Sequence, residues 1–208
     1  MNSRIAENNH AELTGVILSE LEFSHEVSGE RFFKTRIKSK RLSESSDELP
    51  VILSEKLLER RQFRAGERVK IEGQFRSYNR HEEKKNKLIL SVYAQEMEAI
   101  SPETTEVAPE NNVELDGFIC KKPIYRTTPL GREITDVLLA VNRSYGKSDY
   151  IPCICWGSNA RAVKDLTVGD KLRLSGRIQS RMYQKKESDG SVDNRIAYEV
   201  SVGKLETL

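Results

Sequence analysis

Apolar and polar residues alternate along several short segments of this 208-residue chain. Within 171–178, leucine, glycine and isoleucine alternate with lysine, arginine and serine, and a period of two is typical of a half-buried β-strand. The other segments of this kind in the second half of the chain are 113–120, 133–142, 150–155 and 195–205. Helical spacing of apolar residues occurs there at 158–166. The pattern predicts five strands with one short helix between the third and the fourth.

The second half of the chain repeats the first. Residues 12–17 (ELTGVI) match residues 114–119 (ELDGFI), and the same separation of 102 relates Pro50 to Pro152. Further along the chain, Gly73 and Gly176 are 103 residues apart. A drift of one residue over this distance indicates two copies of one domain.

A polar stretch separates the two copies. Residues 101–112 contain two prolines and three glutamates, a composition typical of a linker. We therefore predict a first domain over 10–100, the linker over 101–112, and a second domain over 113–208. In the first domain, a strand at 69–75 and a helix at 55–63 match their counterparts. Five strands with a helix between the third and the fourth follow the order of the OB barrel, so we predict an all-β protein of two tandem OB folds, each a five-stranded Greek-key barrel.

Composition excludes several classes of protein. No apolar run reaches the roughly 18 residues that a membrane-spanning helix needs, and residues 1–12 resemble neither a secretory signal nor a transit peptide. Cys120, Cys153 and Cys155 cannot form an even-numbered disulfide framework, so we expect a cytoplasmic protein. The chain has 34 basic and 32 acidic residues, and this near balance alone does not indicate a polyanionic partner.

Few residues could support catalysis. His10, His25 and His81 lie in polar surroundings without a cysteine at zinc-ligand spacing. Cys153 and Cys155 share a strand face with Ile151, which predicts that they belong to the core. The sequence contains no glycine-rich phosphate loop and no hydrolase or metalloprotease motif. We expect no enzyme activity, no metal ion and no cofactor.

A more informative pattern is a set of aromatic and basic side chains in the second domain. On the third strand, Tyr150 and Trp156 alternate with core residues, so their side chains point away from the core. The residues with the same outward parity on the fourth strand are Arg173, Arg177, Arg181 and Tyr183. Aromatic rings stack on bases and arginines contact phosphates, which favours a single-stranded nucleic-acid site. Protein interfaces have a similar composition, so both interpretations remain open from the pattern alone.

Five runs in the second domain carry a resemblance to a known family. They are YRTTPLG at 125–131, LAVNR at 139–143, DYIPCICWG at 149–157, VGDKL at 168–172 and GRIQSRMY at 176–183. In this order they closely resemble the bacterial single-stranded DNA-binding protein family (SSB). The resemblance covers nearly all of the second domain. It implies an OB fold that wraps single-stranded DNA without sequence preference and without catalysis.

The family's base-stacking positions fall on aromatic residues in the second domain. They are Tyr145, Tyr150, Trp156 and Tyr183. The role of Tyr145 rests on the resemblance alone. Counterparts of the first three at the offset of 102 are Ser43, Glu48 and Ser54, so we expect the first domain to lack this stacking platform. Its basic runs leave open whether it contacts phosphate weakly or serves as a dimerisation or partner module.

These observations lead to one main hypothesis: the chain binds single-stranded DNA without sequence specificity and protects it in replication, recombination or repair. The residues expected nearest the DNA backbone are Arg126, Arg143, Lys147, Arg173, Arg177 and Arg181. Because SSB relatives commonly assemble four OB domains, the resemblance also implies a homodimer. The alternatives are an OB-fold protein-interaction module of a replication or conjugation complex, and an RNA-binding OB protein.

The end of the sequence differs from the family pattern. SSB relatives usually carry a disordered tail with an acidic tip that recruits partner enzymes, whereas this sequence stops at Leu208, directly after the fifth predicted strand. We therefore expect a version without the acidic tip, such as a plasmid, phage or accessory protein. Its partner enzymes are left open.

Overall fold

The computed structural model describes residues 8–41, 43–82, 85–101, 103–104, 108, 110–186 and 190–208, with side chains except at 81, 82, 85, 86, 145, 185 and 186. The elements of the first repeat are β1 (Asn9–Ile17), β2 (Glu22–Val27), β3 (Glu30–Lys40), β4 (Ser46–Ser54), α1 (Glu55–Arg60), β5 (Arg68–Glu82) and β6 (Lys85–Ala99). Those of the second are β7 (Asn111–Thr127), β8 (Glu133–Asn142), a 3-10 turn (Ser144–Gly146), β9 (Ser148–Trp156), α2 (Gly157–Val163), β10 (Lys171–Lys186) and β11 (Val192–Thr207).

Each repeat closes into a small barrel. In the first repeat, β1 pairs with both β3 and β5, and β4 pairs in parallel with β6. In the second repeat, β7 pairs with both β8 and β10, and β9 pairs in parallel with β11. The short helix follows β4 in one repeat and β9 in the other, as predicted. The all-β architecture of two tandem OB folds is therefore confirmed.

Within its described residues, the first repeat has six strands where five are predicted. Its first strand ends at Ile17 and β2 begins at Glu22, whereas β7 continues to Thr127 through two register shifts. The first repeat thus has two separate strands, β1 and β2, where the second repeat has the single irregular strand β7. The limits 10–100, 101–112 and 113–208 stay predictions; β6 ends at Ala99 and β7 begins at Asn111.

The inward faces of the strands form the core. Leu172, Leu174 and Ile178 of β10 are buried, as their alternation predicts, and so are Cys153 and Cys155 of β9. In the part of the chain that the structure describes, no helix is both long enough and apolar enough to cross a membrane.

The two barrels are joined through their first strands. β1 and β7 pair antiparallel, from Asn9 opposite Leu115 to Leu13 opposite Asn111. Because Asn9 is equivalent to Asn111 and Leu13 to Leu115 at the offset of 102, the pairing is symmetric, as in a dimer with a twofold axis. In the part of the chain that the structure describes, one sheet of eleven strands therefore runs through both repeats.

Replacing Gly73 with alanine is expected to lower the free energy of unfolding by about 2 kcal/mol. Gly73 lies at a register shift between β5 and β6, where a Cβ atom would collide with the backbone carbonyl of Tyr93. Chemical denaturation measures the change. Gly203→Ala is the matched control, because the nearest atom to its Cβ would be the Ser175 carbonyl oxygen at 3.7 Å. Equal stability of both variants would contradict the steric argument.

Candidate nucleic-acid interface

A buried carboxylate anchors the β10–β11 hairpin of the second repeat on the first repeat. Asp47, whose side chain is 0% exposed, accepts hydrogen bonds from Nε and Nη2 of Arg41 at 2.9 and 2.6 Å. From the other repeat, the backbone N–H of Ser180 donates to it at 2.8 Å and Arg177 donates at 3.3 Å. The carboxylate therefore binds donors from both repeats at once.

A second arginine and aspartate pair mirrors the first. Asp149, with a side chain that is 1% exposed, accepts hydrogen bonds from Arg143 and, at 2.5 Å, from the backbone N–H of Ser77. Arg143 also donates to the Ser77 carbonyl at 2.8 Å, and the amide of Tyr150 donates to Ser77 Oγ at 2.7 Å. The β5–β6 hairpin of the first repeat is thus anchored on the second. We call the two pairs and their serine partners the junction.

Burial and ion pairing act in opposite directions on the Asp47 carboxyl. Burial alone would raise its pKa, but the hydrogen bonds from Arg41 and the Ser180 N–H, together with the charge of Arg177, outweigh burial. The pKa therefore lies below its ordinary value of 3.8. Asp47 is ionised at neutral pH, so the junction contains a buried charge that depends on its partners.

Two of the residues predicted to lie near the DNA backbone belong to the junction. Arg143 donates to Asp149, and Arg177 donates to Asp47 and to the side chain of Gln179. Both guanidinium groups are half-buried, and they hold the two repeats together. Their contact with DNA stays a prediction.

A groove of about 950 Å³ lies between the first repeat and the β10–β11 hairpin. Three tyrosines line it: Tyr78, 46% exposed, Tyr183, 37% exposed, and the half-buried Tyr198. The basic residues that line it are Lys34, Arg36, Arg80, Lys87 and Arg195, and the acidic ones are Glu22 and Asp193. Accessible rings beside an excess of positive charge are what a single-stranded nucleic acid needs in order to bind.

Two of the groove cations are held weakly by acidic partners. Lys34 Nζ lies 3.2 Å from Glu22 Oε2, and Arg36 Nη1 lies 3.1 Å from Glu48 Oε2. All four side chains are exposed, and an exposed ion pair contributes at most about 1 kcal/mol. Exchanging these carboxylates for phosphate groups therefore costs little free energy.

The predicted aromatic residues fall at different distances from the groove. Tyr183 lines it, with the Arg181 guanidinium 5.9 Å from the centre of its ring. Pro152 of β9 also lines the groove, and Tyr150, two residues earlier on the same strand, is exposed. Trp156 ends β9, is half-buried and donates from Nε1 to Ser201 Oγ at 3.2 Å.

Three further predicted residues, Arg126, Arg173 and Lys147, do not line the groove. Arg126 pairs with Asp136 at 2.9 Å. Arg173 pairs with Asp116 at 2.8 Å and lines a separate cavity of about 610 Å³. Lys147 is exposed after the 3-10 turn. The side chain of Tyr145 lies outside the described residues.

Sequence reasoning assigns the binding surface mainly to the second domain, but four of the five groove cations belong to the first repeat. A signal for Tyr78 is its position near the end of the fourth strand of its repeat, like that of Tyr183. Tyr198 has the parity of the buried Val200 and Val202 and packs partly against the core, so the pattern carries no signal for its contact with the groove. Burial raises the pKa of the Tyr198 hydroxyl, with Arg36 and Glu48 of the other repeat also acting on it.

The buried thiols of Cys153 and Cys155 belong to the core and are not reactive groups. Burial raises the pKa of Cys155 to about 12, so its thiol stays protonated at neutral pH. Within the described residues, no group of histidine, cysteine and carboxylate side chains is arranged to hold a metal ion.

Comparisons with known proteins agree with this geometry. The model of the "Single-strand binding protein family" matches residues 110–208. The chain is 36% identical over 84 residues to "Single-stranded DNA-binding protein B" of Bacillus subtilis, and the matched region covers 37% of this chain and 74% of that protein. It is also 36% identical over 84 residues to the "Single-stranded DNA-binding protein" of Clostridium tetani, covering 37% of this chain and 58% of the relative. The chain thus spans little more than half the length of the latter.

A solved structure extends the likeness in fold to both repeats. The wild-type single-stranded DNA binding protein from Thermus aquaticus superimposes with a TM-score of 0.77 at 18% identity, covering 96% of this chain and 92% of that one. At this identity the likeness concerns the fold alone. Together with the family match and the Bacillus subtilis relative, these findings show that the chain belongs to the single-strand binding protein family.

Proposed function

We propose that this chain binds single-stranded DNA without sequence specificity, by stacking bases on aromatic rings and by contacting phosphates with lysine and arginine. The observation that carries the proposal is the groove, because its three tyrosines and five cations come from both repeats. Rings accept every base, so stacking gives affinity without reading sequence. The names of the relatives, all single-stranded DNA-binding proteins, support the same ligand.

The proposal includes the biological setting. Binding would protect exposed single strands in the cytoplasm during replication, recombination or repair, without a catalytic step. We also propose that two chains associate into a homodimer presenting four OB domains. A strict monomer by light scattering at micromolar concentration would contradict the dimer while leaving the DNA-binding proposal intact.

The direct test is fluorescence anisotropy with labelled strands of equal length: oligo-dT, a mixed-sequence single strand, the corresponding duplex and the equivalent RNA. We expect the two DNA single strands to bind with similar affinity, and the duplex to bind much more weakly, because its bases are already stacked. No binding of any strand would contradict the proposal and favour a protein-interaction module. Preference for RNA would favour the RNA-binding alternative, since the 2′-OH is the group that distinguishes the two.

A further inference from the structure

Three rings and an arginine form a row across the outer face of the first repeat, and none of the four residues is the counterpart of a base-stacking position that the family resemblance implies. The Arg76 guanidinium lies 5.2 Å from the centre of the Tyr93 ring. The Tyr93 and Phe32 ring centres are 6.4 Å apart, and the His25 ring stacks on Phe32 at 4.9 Å with an interplanar angle of 6°. We call these four residues the first-repeat row.

Strand register places the row on the side of the sheet that faces away from the core. On β3, Thr35 and Ile37 are buried, so Phe32 has the outward parity of Lys34 and Arg36. His25 is paired with Phe32 across β2 and β3. Lys34 and Arg36, which follow Phe32 on β3 with the same parity, line the groove. The row therefore continues the groove along this strand.

The row occupies the place that Trp156 has in the second repeat. In that repeat Trp156 is paired with Ile134 of β8 and bonded to Ser201 of β11. The equivalent of Trp156 is Ser54, which is paired with Phe32, the equivalent of Ile134.

Strand β6 contributes the second ring at this place in the first repeat, that of Tyr93. Tyr93 is aligned with Ile52, as Ser201 is aligned with Ile154 in the second repeat. The first repeat therefore has aromatic rings on β3 and β6, the two strands that flank β4. The second repeat instead has one ring, that of Trp156, on β9, the equivalent of β4. The loss of the tryptophan position at Ser54 does not remove the aromatic surface.

We infer that the first-repeat row is a second base-stacking site, which takes bases of the same single-stranded DNA that passes through the groove. The inference rests on the proposed function. Charge complementarity supports this occupant, because Arg76 stands at one end of the row and Lys34 and Arg36 lie beside it, where phosphates flanking a stacked base would pass. The half-buried rings of Phe32, Tyr93 and His25 keep part of their surface accessible.

Photo-crosslinking of the wild-type chain tests the inference without any substitution. An oligo-dT in which single thymines are replaced by 5-iodouracil is bound, irradiated and digested, and the crosslinked peptides are identified by mass spectrometry. We expect crosslinks on peptides that contain Phe32, Tyr93 or His25, as well as on groove tyrosines. Crosslinks confined to the groove and the second repeat would overturn the inference.

A double substitution then measures the contribution of the row. Phe32→Leu with Tyr93→Leu removes the rings but keeps apolar volume, and it is expected to weaken binding of a long oligo-dT by about tenfold or more. Phe23→Leu is the matched control, because Phe23 is 53% exposed on the same β2–β3 hairpin but packs against Phe33 outside the row. Its affinity is expected to stay within about twofold of wild type, a change well below the loss of one stacked base.

The outcomes separate the two proposals. If the wild-type chain binds oligo-dT and the folded double variant binds it equally well, the row is not a stacking site and the proposed function stands. If the wild-type chain binds no single strand, the proposed function is wrong and the inference fails with it. Circular dichroism establishes that the variants are folded, and the crosslinking result decides the case independently if they are not.

Discussion

Replacing Asp47 with asparagine is expected to lower the free energy of unfolding by about 3 kcal/mol, because removing one member of a buried ion pair leaves its partners uncompensated. Asp47 holds Arg41 and Arg177 and accepts the N–H of Ser180, so a single neutral substitution weakens contacts on both sides of the junction. Urea titration followed by circular dichroism measures the loss.

The matched control removes the same charge from a pair that is not fully buried. Asp116 binds Arg173 through two hydrogen bonds of 2.9 and 2.8 Å, and the arginine is largely exposed. Asp116→Asn should therefore cost no more than about 1 kcal/mol. Equal losses for the two variants would show that burial at the junction contributes nothing.

The same prediction has a pH dependence with a definite sign. The folded-state pKa of Asp47 is lowered below its ordinary 3.8, so the stabilisation is complete above about pH 5 and is lost as pH falls through the folded-state value. The stability difference between wild type and Asp47→Asn should thus be constant from pH 7 to pH 5 and should narrow below about pH 4. A difference that grows on acidification would contradict this assignment.

Replacing Tyr78 and Tyr183 together with alanine is expected to weaken binding of oligo-dT by about 100-fold, or roughly 3 kcal/mol. Each ring is exposed in the groove, and each stacked base is worth about 1 to 3 kcal/mol. Because one tyrosine comes from each repeat, each single variant should show part of the loss. Anisotropy titration at fixed salt measures both.

Tyr125→Ala is the control for this pair. Its ring is similarly exposed, but it lies beside α2, where its hydroxyl bonds to Glu133 and Lys164 lies over the ring. Affinity should be unchanged. If Tyr125→Ala lost affinity while the double tyrosine variant kept it, the DNA would pass beside α2 rather than through the groove.

Much of the fold follows from the sequence because strand alternation and the repeat report on burial. The alternation at 171–178 predicts the inward face of β10, whose Leu172, Leu174 and Ile178 are buried. The pairing of β1 with β7 does not follow, because it is made by backbone groups, which leave no side-chain periodicity. Asn111 even lies within the predicted linker, although it is the first residue of β7.

The candidate site is predicted only in part because outward parity does not say what an exposed side chain contacts. Arg177 and Tyr183 have the same parity on β10, yet one bonds to a buried carboxylate of the other repeat and one lines the groove. A signal for the junction exists: an aspartate follows an arginine by six residues in both repeats, as Asp47 follows Arg41 and Asp149 follows Arg143. The row of rings leaves no such signal, since its members lie on different strands.

The salt dependence of oligo-dT binding tests whether cations from both repeats contact the phosphates of one strand. The affinity is measured from the fluorescence of Trp156, the single tryptophan of the chain, or by anisotropy, over a range of salt concentrations. Each neutralised phosphate contributes a slope of about −0.7 to the plot of log K against log salt. Engagement of the five groove cations predicts a slope of about −3 to −4. An affinity that does not change with salt would show that the groove cations do not contact phosphates.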